Sequence, residues 1–253
     1  MVHKIRSLLP TDFPWQIRYV DSIDSTNTAL RGAAHGSVLI AGHQTGGRGR
    51  MGRSFHSPAG KGLYLSLLIR PQCKATELMH LTCAAAVAAM EAMPIPCGIK
   101  WTNDLVVGQR KLGGILTEMS LNPDGTVQWA ILGIGINCCH RSEDFPEDIR
   151  DIATSLAIET GEEVEISSIA AALLLSLKDM TDKLLTGKEE MLARYRKSCV
   201  TLGKEISVVR FDEVRHGLAE DIDADGALLV RFETGLEAVN SGEVSIRGMY
   251  GYV

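Results

Sequence analysis

Three arginines and three glycines fall within seven consecutive residues, Gly47 to Arg53 (GRGRMGR), inside the longer run HQTGGRGRMGRSFHSPAGKG. Glycines let a backbone approach a ligand closely and turn successive N–H groups inward, while guanidinium groups supply forked donors for a carboxylate or phosphate. The pattern suits a loop that grips an anion. The alternative is a disordered RGG-like segment that adheres to RNA. Such segments are usually repeated and terminal, whereas this one occurs once, between two apolar strands.

A second basic element follows in KWTNDLVVGQRKLGG, which gathers Lys100, Trp101, Asn103, Asp104, Arg110 and Lys111 around a strand, a turn and a strand. Taken singly, Arg110 and Lys111 read as solvation of a turn, Lys100 as a snorkelling edge residue, and Asn103 and Asp104 as turn formers. Ser25, Thr26 and Asn27 open a helix and, taken alone, are ordinary caps. Gly133 to Asn137 (GIGIN) is not a dinucleotide fingerprint, and its glycines mark a place where something packs close to a strand.

The elements that must hold these residues are legible from periodicity and breakers. Gln16–Asp21 reads as a strand, followed by a helix from Asp24 or Ser25 to about His35, then the strand SVLIAG. After the long glycine-arginine loop comes the strand LYLSLLIRP, then an alanine-rich helix over Thr76–Met93 closed by Pro94 and Pro96. Asp124-Gly125 signals a hairpin between LGGILTEMSL and VQWAILGIGIN. Helices are expected over Asp151–Thr160, Ser167–Leu185 and Glu189–Cys199. From about Leu202 the texture changes to short strands separated by glycine turns, ending in SGEVSIRG. The reading is an α+β fold with a mixed-sheet domain over residues 1–200 and a small β-barrel over 201–253.

The chain has 253 residues and a net charge of −5, which argues against nucleic acid as a bulk partner and makes the arginine loop a local exception. No apolar run approaches the roughly 18 residues of a membrane span, and the N-terminus carries no signal-peptide pattern, so a cytoplasmic location is expected. The six cysteines show no CxxC spacing and read as reduced, buried thiols. No metal site built from protein side chains is indicated.

Taken together and in this order, DSTN (Asp24–Asn27), QTGGRGRMGRSF, KWTND, RKLGGILTE (Arg110–Glu118), GIGIN and the late SGEVSIRG resemble the biotin protein ligases. Thr102 stands where that family commonly has proline, Gly113 where alanine is frequent, and Phe55 where tryptophan is usual. The resemblance implies a catalytic domain related to lipoate ligases followed by an SH3-like barrel. It also implies a form without the N-terminal DNA-binding domain that family repressors carry.

The activity implied is adenylation of biotin by ATP with Mg²⁺, then transfer to a lysine of a biotin carboxyl carrier protein. Partners are thus biotin, ATP and the carrier domain of a carboxylase, without DNA or membrane; a homodimer is left open. By the same resemblance Ser25, Thr26, Asn27, Gln44, Arg48, Gly49, Arg50, Lys111 and Gly114 would contact biotin. Arg53, Lys100, Trp101, Asn103, Asp104 and Asn137 would serve ATP, and Lys111, Arg48, Arg50 and Asp104 would be catalytic. The alternatives are a lipoate or octanoate ligase on the same logic, a non-catalytic RNA binder, and a biotin-sensing regulator. The polar Ser25–Asn27 and Gln44 set suits a ureido ring better than a dithiolane or alkyl chain.

Overall fold

The computed structural model describes residues 1–210 and 213–240, and the backbone of 245–248; Ser241–Val244 of the late SGEVSIRG run lie outside the described residues. A seven-stranded mixed sheet has the order β1-β2-β3-β7-β6-β5-β4. It is built from β1 (Gln16–Val20), β2 (Ser37–Ala41), β3 (Gly62–Ile69), β4 (Gly98–Lys100), β5 (Asp104–Val107), β6 (Arg110–Leu121) and β7 (Val127–Asn137). Only β1 and β2 run parallel; the other neighbours are antiparallel.

Alternation along the central strands divides the sheet into two unlike faces. Leu63, Leu65, Leu67 and Ile69 of β3 and Ala130, Leu132, Ile134 and Ile136 of β7 enter the main core. That core also takes apolar residues of α3 (Leu81–Glu91), α5 (Ile166–Asp182) and α6 (Lys188–Ser198). The opposite face carries Tyr64, Ser66 and Leu68 on β3, beside Gly135, Gly133 and Ile131 on β7 and Gly114, Leu116 and Glu118 on β6. The short helix α2 (Thr26–Leu30) lies over this second face, where Leu30 joins Leu39, Leu68 and Ile131 in a small separate cluster.

Several elements differ from the sequence-based expectation. α2 stops at Leu30 because Arg31 leaves helical geometry and Gly32 takes φ +84°, after which Arg70 Nη2 donates to Ala33 O at 2.9 Å. The expected helix over Asp151–Thr160 shrinks to α4 (Leu156–Thr160). Its first residues pair instead with a strand: Lys111 N donates to Ile152 O at 2.7 Å and Thr154 N to Lys111 O at 2.8 Å. α3 begins at Leu81, with a separate 3₁₀ turn over Ala75–Leu78. An N-terminal helix that the sequence pattern had not suggested, α1 (Val2–Leu8), packs on α5, its Arg6 guanidinium donating to Phe13 O and Trp15 O. Four cysteines are buried as expected, but Cys97 and Cys139 are only half-buried.

The C-terminal strands β8 (Glu205–Arg210), β9 (Glu213–Ile222), β10 (Leu228–Phe232), β11 (Gly235–Val239) and β12 (Ser245–Gly248) form a second, antiparallel sheet of order β11-β10-β9-β8-β12. Its inner residues Ile206, Val208, Leu228 and Val230 are continuous with the main core. The turn between β9 and β10 reaches back to the first sheet. Gly226 O accepts from Trp101 Nε1 at 3.0 Å, and Gly226 adopts φ +86° with an added Cβ only 2.9 Å from Cys83 Sγ. Glycine is required there on both counts. Among the described residues no helix is long and apolar enough to cross a membrane.

Candidate active site

The glycine-arginine loop is a folded hairpin. Arg48 and Ser54 form an isolated antiparallel bridge, Gly49 N donates to Arg53 O at 2.7 Å, and Phe55 N donates to Gly47 O at 2.9 Å. Met51 at its tip has φ +55°, an uncommon geometry for a non-glycine residue. The hairpin lies over the second sheet face and encloses the cavity that brings the sequence motifs together. Ser25, Thr26, Asn27, Gln44, Arg48, Gly49, Arg50, Arg53, Lys100, Trp101, Asn103, Asp104, Lys111 and Gly114 all contribute to its walls. Leu65, Ile115, Leu116 and Ile134, given no site role from the sequence, also border the cavity; Leu116 lies on the second face, and the other three belong to the main core.

Glycines make the floor, and their neighbours explain why. A Cβ on Gly133 would stand 2.2 Å from Asn27 Oδ1, and one on Gly135 would stand 2.6 Å from the Phe55 ring. The bare backbone therefore receives Asn27 and Phe55. What packs close to the strand at these glycines is thus two side chains of the chain itself. A Cβ on Gly114 would lie 3.3 Å from Lys111 Nζ and 3.2 Å from Asp104 Oδ1. The space over Gly114 is where the Lys111 head group sits.

At one end of the cavity the polar groups are neutral and buried. Ser25, Thr26 and Asn27 are each 5 % exposed or less. Ser25 Oγ accepts from Thr28 N as the N-cap of α2. Gln44 Oε1 accepts from both Thr26 N (2.9 Å) and Thr26 Oγ1 (3.0 Å), and Gln44 Nε2 donates to Ser57 Oγ. Asn27 Nδ2 donates to Glu118 Oε2 at 2.8 Å and reaches Leu116 O at 3.4 Å. Fully buried Ser66 lies 2.7 Å from Thr26 Oγ1 and 2.6 Å from Asn27 Oδ1.

The other end is charged. Lys111 Nζ bonds Asp104 Oδ1 at 2.7 Å, with both side chains partly exposed. Arg50 Nη1 donates to Asn103 Oδ1 at 2.9 Å, and Asn103 is itself pinned by donating to Ile115 O at 2.8 Å. Burial pulls the Arg50 pKa down, with the Asp104 carboxylate opposing. A cation that is partly desolvated in this way gains when an anion arrives. Lys100 is buried in the same wall, and Trp101 N donates to Thr201 Oγ1 at 2.9 Å. Tyr195 OH donates to Thr102 O at 3.0 Å.

Asn137 is the one predicted site residue that does not line the cavity. It is buried at the end of β7, where Nδ2 donates to Thr154 O at 3.0 Å. It thereby braces the segment whose backbone pairs with Lys111. Among the described residues no group of three or more His, Cys, Asp or Glu side chains gathers as a metal site would.

This arrangement, a mixed sheet with a neutral polar pocket leading into a cluster of cations, is that of an enzyme that activates a carboxylic acid. The Biotin/lipoate A/B protein ligase family matches residues 19–137, and the Biotin protein ligase C terminal domain matches residues 201–247. The chain is 33 % identical over 254 residues to the bifunctional ligase/repressor BirA of Bacillus subtilis, covering 96 % of this chain and 78 % of that protein. It is 31 % identical to the biotin–[acetyl-CoA-carboxylase] ligase of Paracoccus denitrificans, covering 89 % of this chain and 98 % of the relative. The biotin protein ligase of Aquifex aeolicus, solved with biotin and ATP, superposes with a TM-score of 0.78 at 30 % identity, covering 92 % of this chain and 99 % of that one. The chain belongs to the biotin protein ligase family.

Proposed function

We propose that this protein is an ATP-dependent biotin protein ligase. It joins biotin to AMP as biotinyl-5'-AMP and then passes the biotinyl group to one lysine of a biotin carboxyl carrier protein. The observation that carries the reading is the neutral end of the cavity. The Thr26 hydroxyl proton goes to Gln44 and the Asn27 amide protons go to Glu118 and Leu116 O, so both side chains offer oxygen acceptors. A ureido ring brings N–H donors to such acceptors, with the Ser25 hydroxyl placed to donate to its carbonyl. A dithiolane or an alkyl chain brings none, and the remaining lone pairs of these oxygens would be desolvated without a donor, at a cost of about 1–3 kcal/mol each.

The first step brings a carboxylate against a triphosphate. Two unit charges about 4 Å apart repel by about 4 kcal/mol at an effective dielectric near 20, which equals nearly a thousandfold in rate. Lys111, between the carboxylate and the α-phosphate, offsets that repulsion, and Arg48, Gly49 and Arg50 flank the same junction. A carboxylate oxygen attacks the α-phosphorus and pyrophosphate leaves, so no protein nucleophile is needed. Lys100, Trp101, Asn103, Asp104 and Arg53 serve the nucleotide, and Asn137 acts on it through the Thr154 segment. One carboxylate beside the triphosphate, Asp104, fits the habit of Mg²⁺ of binding through a carboxylate or two plus phosphates. Mg²⁺ supplies charge neutralisation when it enters with ATP.

In the second step the neutral Nζ of the acceptor lysine attacks the acyl carbon and AMP leaves. Deprotonating a free lysine at pH 7 costs roughly 4–5 kcal/mol, and Asp104 is the carboxylate best placed to take that proton. The arginine hairpin covers the adenylate and keeps water from the mixed anhydride. Residues 1–200 form the catalytic domain and 201–253 the C-terminal barrel, whose β9–β10 turn contacts Trp101. The substrates suit a cytoplasmic enzyme. The test is incubation with ATP, Mg²⁺, biotin and a biotin carboxyl carrier domain. Mass spectrometry is expected to find one biotinyl group on a single lysine; an unmodified carrier domain with active adenylation would refute the transfer step.

A further inference from the structure

Ser66 and Glu118 line no part of the cavity wall, yet each touches the residues that do. They arrive from opposite sides. Ser66 on β3 is the direct partner of Gly133 on β7, and Gly133 in turn faces Leu116 on β6, two residues before Glu118. Asn27 descends from α2 onto the bare backbone of Gly133 and is clamped between the two strands. A serine in the middle of the otherwise apolar LYLSLLI, fully buried, has no packing reason to be polar. Its hydroxyl instead lies within hydrogen-bond distance of both Thr26 Oγ1 and Asn27 Oδ1.

Glu118 decides which way the Asn27 amide points. Burial raises its pKa, but hydrogen bonds from Asn27 and Arg31 and the charges of Arg48 and Arg31 prevail, leaving it below the ordinary value. An ionised carboxylate only accepts, so the nitrogen of Asn27 must face it and the oxygen must face Ser66 and the cavity. Arg31 Nη2 holds the other carboxylate oxygen at 2.8 Å, and Arg48 Nη2 lies 3.9 Å from it while donating to Thr28 Oγ1 at 2.5 Å. The same carboxylate thus ties the arginine hairpin to α2.

We propose that Ser66 and Glu118 are positioning residues that set the acid selectivity of the enzyme. Glu118 accepts a hydrogen bond from the Asn27 amide nitrogen and Ser66 bonds the Thr26 and Asn27 oxygens, so the Thr26 and Asn27 side chains meet the substrate as acceptors. The inference rests on the ligase reading above and goes behind the residues assigned there. Neither residue touches the substrate, and both act through Asn27 and Thr26.

The test is steady-state pyrophosphate exchange with Ser66→Ala, Glu118→Ala and Glu118→Gln, with biotin affinity measured separately by calorimetry and folding checked by thermal melting. Ser66→Ala and Glu118→Ala are expected to raise KM and Kd for biotin roughly 10- to 100-fold. The KM for ATP and the kcat should stay within about threefold. Glu118→Gln keeps an acceptor for Asn27 and should return biotin affinity to within about threefold of the parent protein. Biotin affinity unchanged in both alanine variants would overturn the proposal, as would equal losses for biotin and ATP, which indicate a general structural role. The two variants lie on different strands, so misfolding of one leaves the other to decide. A parent protein that binds no biotin would overturn the ligase reading itself, and this proposal with it.

Discussion

At the Asn27 end of the cavity the polar groups are neutral, buried and already hydrogen-bonded, whereas at the Lys111 end cations and a carboxylate are partly exposed and paired with one another. The first end is built to stay as it is. Its bonds fix donors and acceptors before any ligand arrives, which is how a site rejects a substrate of the wrong polarity. The second end is built to change partners. Lys111 must exchange Asp104 for a carboxylate and a phosphate, and a partly hydrated ion pair gives up its partner at little cost. Selection and activation are therefore separated in space and rest on different physics, a fixed pattern at one end and exchangeable charge at the other.

The largest expected effect follows from removing the charge. Lys111→Ala should lower biotin-dependent pyrophosphate exchange by about a thousandfold or more, while Kd for biotin without ATP moves only a few-fold. A biotin Kd that rises by as large a factor as the rate falls would erase the distinction between the ends. Gly133→Ala attacks the neutral end without touching a charge. The new methyl would stand 2.2 Å from Asn27 Oδ1 and displace it. Calorimetry should find biotin binding weakened roughly 10- to 100-fold and ATP binding far less affected. Trp101→Phe keeps a ring in the wall but leaves Gly226 O without its indole donor. Stability should drop by about 1–3 kcal/mol in chemical denaturation, and an unchanged midpoint would mean that the C-terminal turn is not held by this bond. The smallest effect belongs to Arg50→Gly, which should release free adenylate severalfold faster, read as labelling of bystander lysines; unchanged acceptor selectivity would remove Arg50 from the closure of the site.

Most of the charged end was legible in the sequence because its signals are local. Arg48, Arg50 and Arg53 fall in one loop, and Lys100, Asn103, Asp104 and Lys111 fall within twelve residues spanning one strand-turn-strand unit. The N-cap run Ser25–Asn27 was equally plain, although its helix is far shorter than periodicity suggested. What the pattern could not reveal depends on register across the sheet. Ser66, Gly133 and Leu116 become neighbours only when β3, β7 and β6 pair at one offset, and nothing in LYLSLLI announces that its serine faces Asn27. What packs on the GIGIN glycines was hidden for the same reason, since their neighbours Asn27 and Phe55 come from distant segments. The bond from Trp101 to Gly226 spans 125 residues and joins two sheets, beyond any local pattern. Asn137 carried a motif signal, yet its amide is engaged by Thr154 O outside the cavity.

The central claim is that a neutral acceptor pocket chooses the acid that a cationic cluster then activates. Its most direct test is pyrophosphate exchange into ATP, measured with the purified protein and biotin, lipoate or octanoate supplied separately. The account predicts exchange with biotin and none above background with the two acids that lack N–H donors. Exchange driven by lipoate or octanoate as well as by biotin would contradict it, leaving the charged end in place and removing the selective role of the neutral one.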